Sequence, residues 1–257
     1  MAISGGPDIV EDGLVLHLDA ADRNSYPGTG STWYDLSGNN YHGSINGATF
    51  ADNTFNFDGT DDYIDLSSHA SNLIFDSPVT INSFIFPTSD ISVSNTILSL
   101  SNGISDITTD NLDGFAMRYG NSTSSMTNET FTLAKNVNQQ TPNVQSTVNI
   151  DGDLSLGNTY RNKWVNYVVR SNSTSWNIKV NDTSLTLTGS SYWNGNLFGF
   201  GEDISPKSKV GIGCLLRADF VNMFNGKIAM VSIYNRELTN AELTQNYNAF
   251  KGRYGLT

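Results

Sequence analysis

The segment from residue 224 to residue 256 constrains the fold more strongly than any other part of the sequence. Its first half, residues 227–234, is apolar on both faces when written as an extended chain. Alternation puts Ile228, Met230 and Tyr234 on one face and Ala229, Val231 and Ile233 on the other. A strand that is apolar on both faces must be covered on both sides. The segment therefore predicts a strand near the middle of a sheet.

A short helix is predicted directly after this strand. Thr239 is followed three residues later by Glu242, the spacing of a capping box, in which each side chain bonds a free backbone amide of the other residue. Leu238 and Leu243 occupy the positions of a hydrophobic staple. Apolar residues recur at helical spacing up to Gly252, which is placed to end the helix; they are Leu243, Tyr247 and Phe250. Because this stripe is narrow, the helix needs a sheet to lie against.

The length and composition favour one large all-β domain. A chain of 257 residues should bury about 70 to 75% of the surface that its unfolded form exposes, so it needs no disulfide. The single cysteine, Cys214, lies in a run of apolar and glycine residues and is predicted to be a buried apolar side chain. We predict an N-terminal arm over residues 1–12 and a single domain over residues 13–257.

The charge argues against a nucleic acid partner, and the hydropathy argues against membrane insertion. The formal net charge is -11, and the 14 basic residues are scattered, whereas contacts to phosphates need clustered Lys and Arg. No apolar run is long enough to span a bilayer. The N-terminus also lacks the basic start and apolar stretch of a signal peptide. We therefore expect no nucleic acid partner and no membrane insertion, and we expect either a removed signal or release by another route, such as lysis.

Short strands separated by turn residues fill most of the remaining sequence. The clearest are residues 13–19, 44–50, 79–87, 95–100, 114–119, 164–171, 176–180, 185–188 and 209–216. Residues 55–66 are predicted to form a hairpin, with Phe55 and Phe57 facing inward and a return strand from Tyr63. Residues 121–162 are either edge strands or a long insertion. Consecutive strands with one convincing helix favour an antiparallel two-sheet sandwich.

Three motifs in the sequence belong to one pattern. They are FNGKIAMVSIYNRELTNAEL at residues 224–243, WYDLSGNNYHG at residues 33–43 and FNFDGTDDYI at residues 55–64. Together they resemble the laminin G-like domains of the concanavalin A-like lectin/glucanase group. The resemblance implies an all-β, two-sheet antiparallel jelly roll with one short C-terminal helix. The turn between the predicted strands 176–180 and 185–188 departs from the family, because Asp182-Thr183 stands where the family usually has a glycine. This departure leaves the type of that turn open.

The first candidate site is a group of aspartates in one tight connection. Asp58, Asp61 and Asp62 lie there, with Asp65 close behind. Calcium takes several oxygen ligands, so this connection is a candidate calcium site. The spacing is not that of an EF-hand, and turns are rich in aspartate without any metal. The plain turn is the favoured interpretation, and calcium stays the alternative.

The second candidate site is an aromatic loop at residues 189–205. Its predicted ligand-binding residues are Tyr192, Trp193, Asn194 and Phe198. Aromatic faces stack on sugar rings, and nearby amides can bond sugar hydroxyls. The alternative is that these aromatic residues hold a long loop against the rim of the sandwich.

No catalytic residue is predicted. Glycoside hydrolysis needs two carboxyl groups that work together, and the glucanase branch of the resembled group carries them in an E-x-D-x-x-E arrangement. The glutamates of this chain lie singly, at Glu11, Glu129, Glu202, Glu237 and Glu242. His17, on the first strand, is predicted to be structural rather than a catalytic base. We therefore expect a protein that is not an enzyme.

Residues 4–39 and the ending KGRYGL also resemble structural proteins of tailed phages, including those of cyanobacteria. This resemblance implies a non-enzymatic virion protein, a capsid decoration or tail-associated protein with a lectin-like surface-binding domain. Its partners would be other virion proteins and cell-surface polysaccharide, and a homo-oligomer stays open. The alternative is a free extracellular glycan-binding or adhesion module. A glycoside hydrolase is the weaker alternative.

Overall fold

Two antiparallel sheets pack face to face around a shared apolar core, as the sequence predicts. The computed structural model describes residues 8–76, 78–88, 95–103, 114–120, 131–136, 150–152, 160–185, 187–188, 204–216 and 220–257. Within these ranges every pairing between strands is antiparallel. No helix in the same ranges has the length and apolar character needed to cross a membrane.

The strands are numbered in chain order. They are β1 Leu14–Asp19, β2 Thr32–Trp33, β3 Gly43–Asn46, β4 Thr49–Ala51, β5 Thr54–Asp58, β6 Tyr63–Asp65, β7 Val79–Pro87, β8 Asn95–Ser101, β9 Gly114–Tyr119, β10 Phe131–Asn136, β11 Ile150–Gly152, β12 Val165–Ser171, β13 Trp176–Val180, β14 Thr183–Ser184, β15 Leu187–Thr188, β16 Lys209–Ile212, β17 Leu215–Leu216, β18 Phe220–Val221 and β19 Asn225–Tyr234. The helices are α1 Ala70–Leu73 and α2 Asn240–Phe250, with 3-10 turns at Ser67–His69 and Lys251–Tyr254.

The strands form two large sheets and one small one. Sheet A has the order β14-β13-β12-β7-β19-β5-β4, and β1 also pairs with β19. Sheet B has the order β15-β11-β10-β9-β8-β16-β6-β3-β2. Strands β17 and β18 pair only with each other. The long C-terminal strand β19 therefore lies inside sheet A, which confirms the predicted central strand.

Strand β19 changes partner along one of its edges. That edge pairs with β5 at residues 225–228 and with β1 at residues 230–234, while β7 covers the other edge. The register shifts between Ile228 and Met230, where the partner changes, so a β-bulge absorbs one extra residue there.

The bulge redistributes the side chains of β19 between its two faces. Ile228, Val231 and Ile233 belong to the core between the sheets, whereas Ala229, Met230 and Tyr234 lie in the outer apolar clusters. Relative to the predicted alternation, Ile228 and Ala229 have exchanged faces. The predicted division of faces is wrong at these two residues, because an extra residue in a strand reverses the alternation beyond it.

The core between the sheets is rich in aromatic residues. Side chains that are fully buried there include Trp33, Phe55, Phe115, Phe131 and Tyr167. Trp33 thus anchors its loop in the core, whereas its neighbour Tyr34 is 42% exposed. Cys214 is buried, and burial raises the pKa of its thiol to about 12. The predicted assignment of this cysteine as a buried apolar side chain is confirmed.

The connection after β5 is a corner between the two sheets. Strand β5 pairs with β19 and β4 in sheet A, but β6 pairs with β16 and β3 in sheet B. The predicted inward positions of Phe55 and Phe57 are confirmed. The predicted hairpin is wrong, because the chain crosses the core at this turn, so that Phe57 and Ile64 reach the core from opposite sheets.

Helix α2 begins at the predicted capping box. Thr239 Oγ1 accepts a hydrogen bond from Glu242 N at 3.3 Å, and Glu242 Oε2 accepts one from Thr239 N at 2.8 Å. Arg236 donates two hydrogen bonds to the Glu242 carboxylate, at 3.1 and 2.7 Å. The Arg236 guanidinium lowers the pKa of Glu242 to about 2, so the carboxylate stays charged beside the helix N-terminus.

The apolar stripe of α2 covers the outer face of sheet A. Leu243 packs in one cluster with Leu238 and Val10, which confirms the staple. Tyr247 and Phe250 pack in a second cluster with Phe84, Ala229 and Met230. The helix therefore lies against the sheet as predicted, and residues 8–10 of the predicted arm contact the same layer.

The helix ends differently from the prediction. Helix α2 stops at Phe250, and a 3-10 turn continues through Gly252 to Tyr254. Gly255, with φ at 65°, adopts the left-handed conformation that closes the turn. Gly252 was predicted to end the helix, and this is wrong because the left-handed residue lies three positions later.

His17 is a buried structural residue beneath the C-terminal segment, as predicted. Its Nδ1 lies 2.8 Å from Ser232 Oγ, and its ring packs against Phe250. Burial lowers the pKa of His17, although the charges of Asp19 and Asp35 oppose this effect. The folded protein therefore resists protonation of His17.

We expect stability to fall as the pH drops below about 6.5, the pKa of histidine in an unfolded chain. The unfolded state takes up a proton there that folded His17 resists. His17→Asn removes this difference, so its stability deficit relative to wild type should shrink between neutral pH and about pH 5.5. Urea unfolding at several pH values measures the deficit. A deficit for His17→Asn that stays constant over this pH range would contradict the prediction.

Candidate functional site

The predicted aromatic site falls outside the described residues. Tyr192, Trp193, Asn194 and Phe198 all lie between residues 188 and 204, a stretch that the structure does not describe. Their assignment as ligand-binding residues stays a prediction.

The three predicted metal ligands do come together at the corner between the sheets. Oxygen atoms of Asp58, Asp61 and Asp62 all lie within 4.8 Å of one another. Asp58 Oδ1 accepts a hydrogen bond from Thr60 N at 2.7 Å, and Asp62 Oδ2 accepts one from Asp58 N at 2.8 Å. Two of the three carboxylates thus stabilise the turn itself. Carboxylate oxygens are also the ligands that calcium takes, so the geometry leaves both interpretations open.

Asp62 is the buried member of this group. Gly47 lies directly over it, and a Cβ atom at Gly47 would clash with Asp62 Oδ1. Burial raises the pKa of Asp62, and the charges of Asp58 and Asp61 raise it further. The three carboxylates therefore repel one another, and removal of one charge or addition of a cation would reduce this repulsion.

We expect Asp61→Asn to raise the unfolding temperature in the presence of EDTA, because it removes one of three mutually repelling carboxylates. Thermal unfolding followed by circular dichroism measures the change, with Glu11→Gln as a control that removes an exposed carboxylate outside the group. A lower unfolding temperature for Asp61→Asn would contradict the expectation. Excess calcium tests the alternative: a rise in wild type that Asp61→Asn lacks would identify an ion site.

A separate cleft opens on the outer face of sheet A, and we call it the aromatic cleft. Its volume is about 490 Å³, within the range of about 300 to 1,000 Å³ typical of small-ligand pockets. Nine of the described residues line it: Phe86, Tyr160, Asn162, Lys163, Trp164, Asn181, Tyr254, Gly255 and Leu256. Four of these nine are aromatic, and three carry polar side chains that are not aromatic.

Three neighbouring strands and the C-terminal tail bring these residues together. Phe86 lies near the end of β7, Trp164 directly precedes β12, and Asn181 directly follows β13. Strand β12 pairs with both β7 and β13, so the three residues lie at one end of the same sheet. Tyr254 approaches from the 3-10 turn after α2. The cleft is thus formed where the tail ends on the sheet.

The aromatic rings form one continuous row. The ring centroids of Trp164 and Tyr254 are 4.4 Å apart, and those of Trp164 and Phe86 are 5.5 Å apart. Tyr254 also packs against Phe84 under the helix, at 5.1 Å. Trp164 and Tyr254 are half-buried, so each ring is held by its neighbours and still borders the cleft. Such surfaces suit ligands with flat apolar faces.

The polar residues of the cleft stand on rigid turns. Asn162 N donates to Pro87 O at 2.8 Å, and Lys163 N donates to Tyr160 O at 3.2 Å. Asn181 Oδ1 accepts a hydrogen bond from Asn166 N at 2.9 Å, which leaves its amide nitrogen free of that bond. Amide and ammonium groups are therefore held beside the aromatic row.

The turn that presents Asn181 also resolves the departure at Asp182. Asn181 and Asp182 form the two-residue connection between β13 and β14, with φ of 48° and 61°. Two positive φ values are what a type I′ hairpin turn requires, and Asn and Asp tolerate them. Asp182 bonds Lys179 Nζ at 2.6 Å and Thr244 Oγ1 at 2.9 Å. A glycine at residue 182 would lose both bonds, and with them the link through Thr244 to helix α2.

An ion pair fixes the tail that carries Tyr254. Arg253 Nη1 lies 2.6 Å from Asp19 Oδ2, and the Asp19 side chain is only 4% exposed. Leu256 N donates to Lys251 O at 3.0 Å, and Tyr247 Oη donates to Thr257 O at 3.2 Å. The wall of the cleft therefore depends on a contact with β1, which is distant in sequence.

We expect Arg253→Met to loosen this wall and to cost about 1–3 kcal/mol of stability, because it leaves the Asp19 carboxylate buried without its partner. Hydrogen exchange should increase in residues 251–257. The matched control is Arg23→Met, which removes an exposed arginine. Unchanged exchange in the tail of Arg253→Met would show that the ion pair does not hold it.

The sequence analysis did not predict the aromatic cleft. Its residues lie in four separate segments, and each of them also fits a strand end, a turn or a helix terminus. The cleft can be recognised only once Val165 is known to pair with Ile85. This pairing puts Trp164 and Phe86 side by side. Pairing between strands is not encoded in local spacing.

Known structures share this fold. The Trypanosoma rangeli sialidase in complex with sialic acid is 14% identical, with a TM-score of 0.58 over 94% of this chain and 33% of the sialidase. The Ruminococcus gnavus IT-sialidase CBM40 bound to α2,3 sialyllactose is 15% identical, with a TM-score of 0.55 over 76% of this chain and 95% of the CBM40. This chain thus spans about a third of the sialidase. No protein-family profile and no curated protein sequence matches it. At such identities the similarity shows the β-sandwich fold alone.

Proposed function

We propose that the protein is a non-catalytic carbohydrate-binding β-sandwich module that holds a glycan in the aromatic cleft. The observation that carries this proposal is the row of Phe86, Trp164 and Tyr254 beside Asn162 and Asn181. Sugar rings have apolar C–H faces that stack on aromatic rings, and their hydroxyls bond amide groups. The cleft offers both kinds of contact in one place.

The fold supports the same proposal. The Ruminococcus gnavus CBM40, a structure of similar fold, is bound to sialyllactose, so a sandwich of this type is compatible with glycan binding. The sequence motifs that resemble laminin G-like domains also imply a lectin-like sandwich. Fold alone does not fix function, so the weight rests on the cleft.

The non-catalytic part of the proposal rests on the composition of the cleft. In the part of the cleft that the structure describes, no lining residue carries a carboxylate, whereas glycoside hydrolysis normally uses a pair of them. A tyrosine nucleophile is a known exception among sialidases, so the assay must include a sialoside. Incubation with sialyllactose and with β-glucan fragments, followed by detection of released sugar, tests this part. Release that Trp164→Ala abolishes would overturn it.

The virion role adds a location to this binding function. It rests on the resemblance of residues 4–39 and the C-terminal end to tailed-phage structural proteins, and it stays a prediction. A phage surface protein that binds host polysaccharide would combine both roles, whereas a free extracellular module would need only the second. Mass spectrometry of purified particles separates them: the protein should copurify with particles, and a pool excluded from them would favour the free module.

We expect Trp164→Ala to weaken glycan binding by about tenfold or more, because Trp164 contacts both other rings of the row. A glycan array identifies the best oligosaccharide, and isothermal titration calorimetry with it measures the loss. Tyr34→Ala is the matched control, since Tyr34 is an exposed aromatic residue outside the cleft.

The outcomes of this experiment are distinct. Loss of binding in Trp164→Ala with retained binding in Tyr34→Ala supports the cleft. Equal binding in both variants would move the site elsewhere, for example to Trp193, and Trp193→Ala would then be the informative variant. Circular dichroism confirms that each variant is folded before its affinity is interpreted.

A further inference from the structure

The charge of the aromatic cleft is opposite to the charge of the protein. The chain has 25 acidic and 14 basic residues, for a net charge of -11. Among the described residues that line the cleft, none is acidic and one, Lys163, is basic. A ligand in the cleft would therefore meet a positive group on a protein that otherwise repels anions.

Lys163 is positioned by its backbone and available through its side chain. Its amide bonds Tyr160 O, and the next residue is Trp164. The side chain is exposed. In the part of the chain that the structure describes, no Asp or Glu carboxylate lies within ion-pair distance of Lys163. Its ammonium group is thus free to pair with a ligand at the edge of the aromatic row.

A second lysine lies at the other end of the same row. Lys227 Nζ is 5.8 Å from the ring centroid of Phe86. Its nearest carboxylate is that of Asp52, at 3.8 Å, and the Asp52 side chain is 84% exposed. The charge of Lys227 is thus partly offset by that carboxylate, and Lys163 is the cation that borders the cleft. Arg253, by contrast, is already paired with buried Asp19.

We propose that the aromatic cleft selects glycans that carry an anionic group, which Lys163 binds while the sugar ring lies against Trp164. This inference rests on the proposed glycan-binding function and adds the class of ligand. Lysine acts as a point charge with three hydrogen-bond donors, so it can pair with either a carboxylate or a sulfate.

The geometry sets the expected size and salt dependence of the effect. Lys163 is exposed, so water and salt screen its interaction with an anion. We expect an anionic oligosaccharide to bind about fivefold more tightly than its neutral counterpart at low ionic strength. This preference should decrease as salt is added, whereas the stacking contribution of Trp164 should not.

The test compares three sugars that share one core: lactose, 3′-sialyllactose and 3′-sulfolactose. Their affinities for the whole chain are measured by isothermal titration calorimetry at low and high sodium chloride. Lys163→Gln should remove the preference for both anionic sugars and keep the weak binding of lactose. Lys163→Arg should retain the preference, because it keeps the charge. Lys207→Gln removes a lysine that pairs with Asp76 and should behave like wild type.

Each outcome decides something different. Equal affinity for all three sugars, or an unchanged preference in Lys163→Gln, would overturn the inference and leave the proposed function standing. Binding of none of the three by folded wild type, together with no binding on a broad glycan array, would overturn both. Preference for 3′-sialyllactose alone identifies a carboxylate ligand, and equal preference for 3′-sulfolactose identifies charge as the only requirement.

Discussion

The burial of β19 on both faces is the interaction on which the rest of the structure depends. Its inner side chains close the core between the sheets, and its outer side chains support helix α2. Each Å² of apolar surface that a strand removes from water stabilises the folded state by about 25 cal/mol, and β19 removes such surface on both faces. The outer layer exists because this second face must be covered. The C-terminal tail that forms one wall of the aromatic cleft is part of that layer.

The shape of the aromatic cleft and the stability of the fold are therefore linked in this protein. The tail is fixed by Arg253 and Asp19, and the turn at Asp182 is tied to helix α2 through Thr244. The ring of Tyr254 in the tail contacts the ring of Trp164, which directly precedes β12. A change that loosens the helix would also displace one side of the cleft. The proposed ligand contacts are thus preorganised by the same contacts that cover the sheet.

The sequence predicted the fold class and most strands, but it did not find the described cleft. The loop with Tyr192 and Trp193 was the candidate because its aromatic residues are close in sequence. Phe86, Trp164 and Tyr254 are far apart in sequence, and each has a local structural explanation. The acidic corner was predicted because Asp58, Asp61 and Asp62 are adjacent in the chain, and the structure brings their carboxylates together. Local clusters can be read from spacing, whereas sites built from strand ends cannot.

The sequence by itself determined the central strand, the capping box of Thr239 and Glu242, the buried cysteine and the acidic net charge. These features depend on composition or on residues a few positions apart, whose contacts follow from helix and strand periodicity. Only the tertiary structure decided the bulge in β19, the crossing between sheets at the acidic corner and the assembly of the aromatic cleft. These depend on which strands pair and in what register, and that choice comes from the packing of the whole chain.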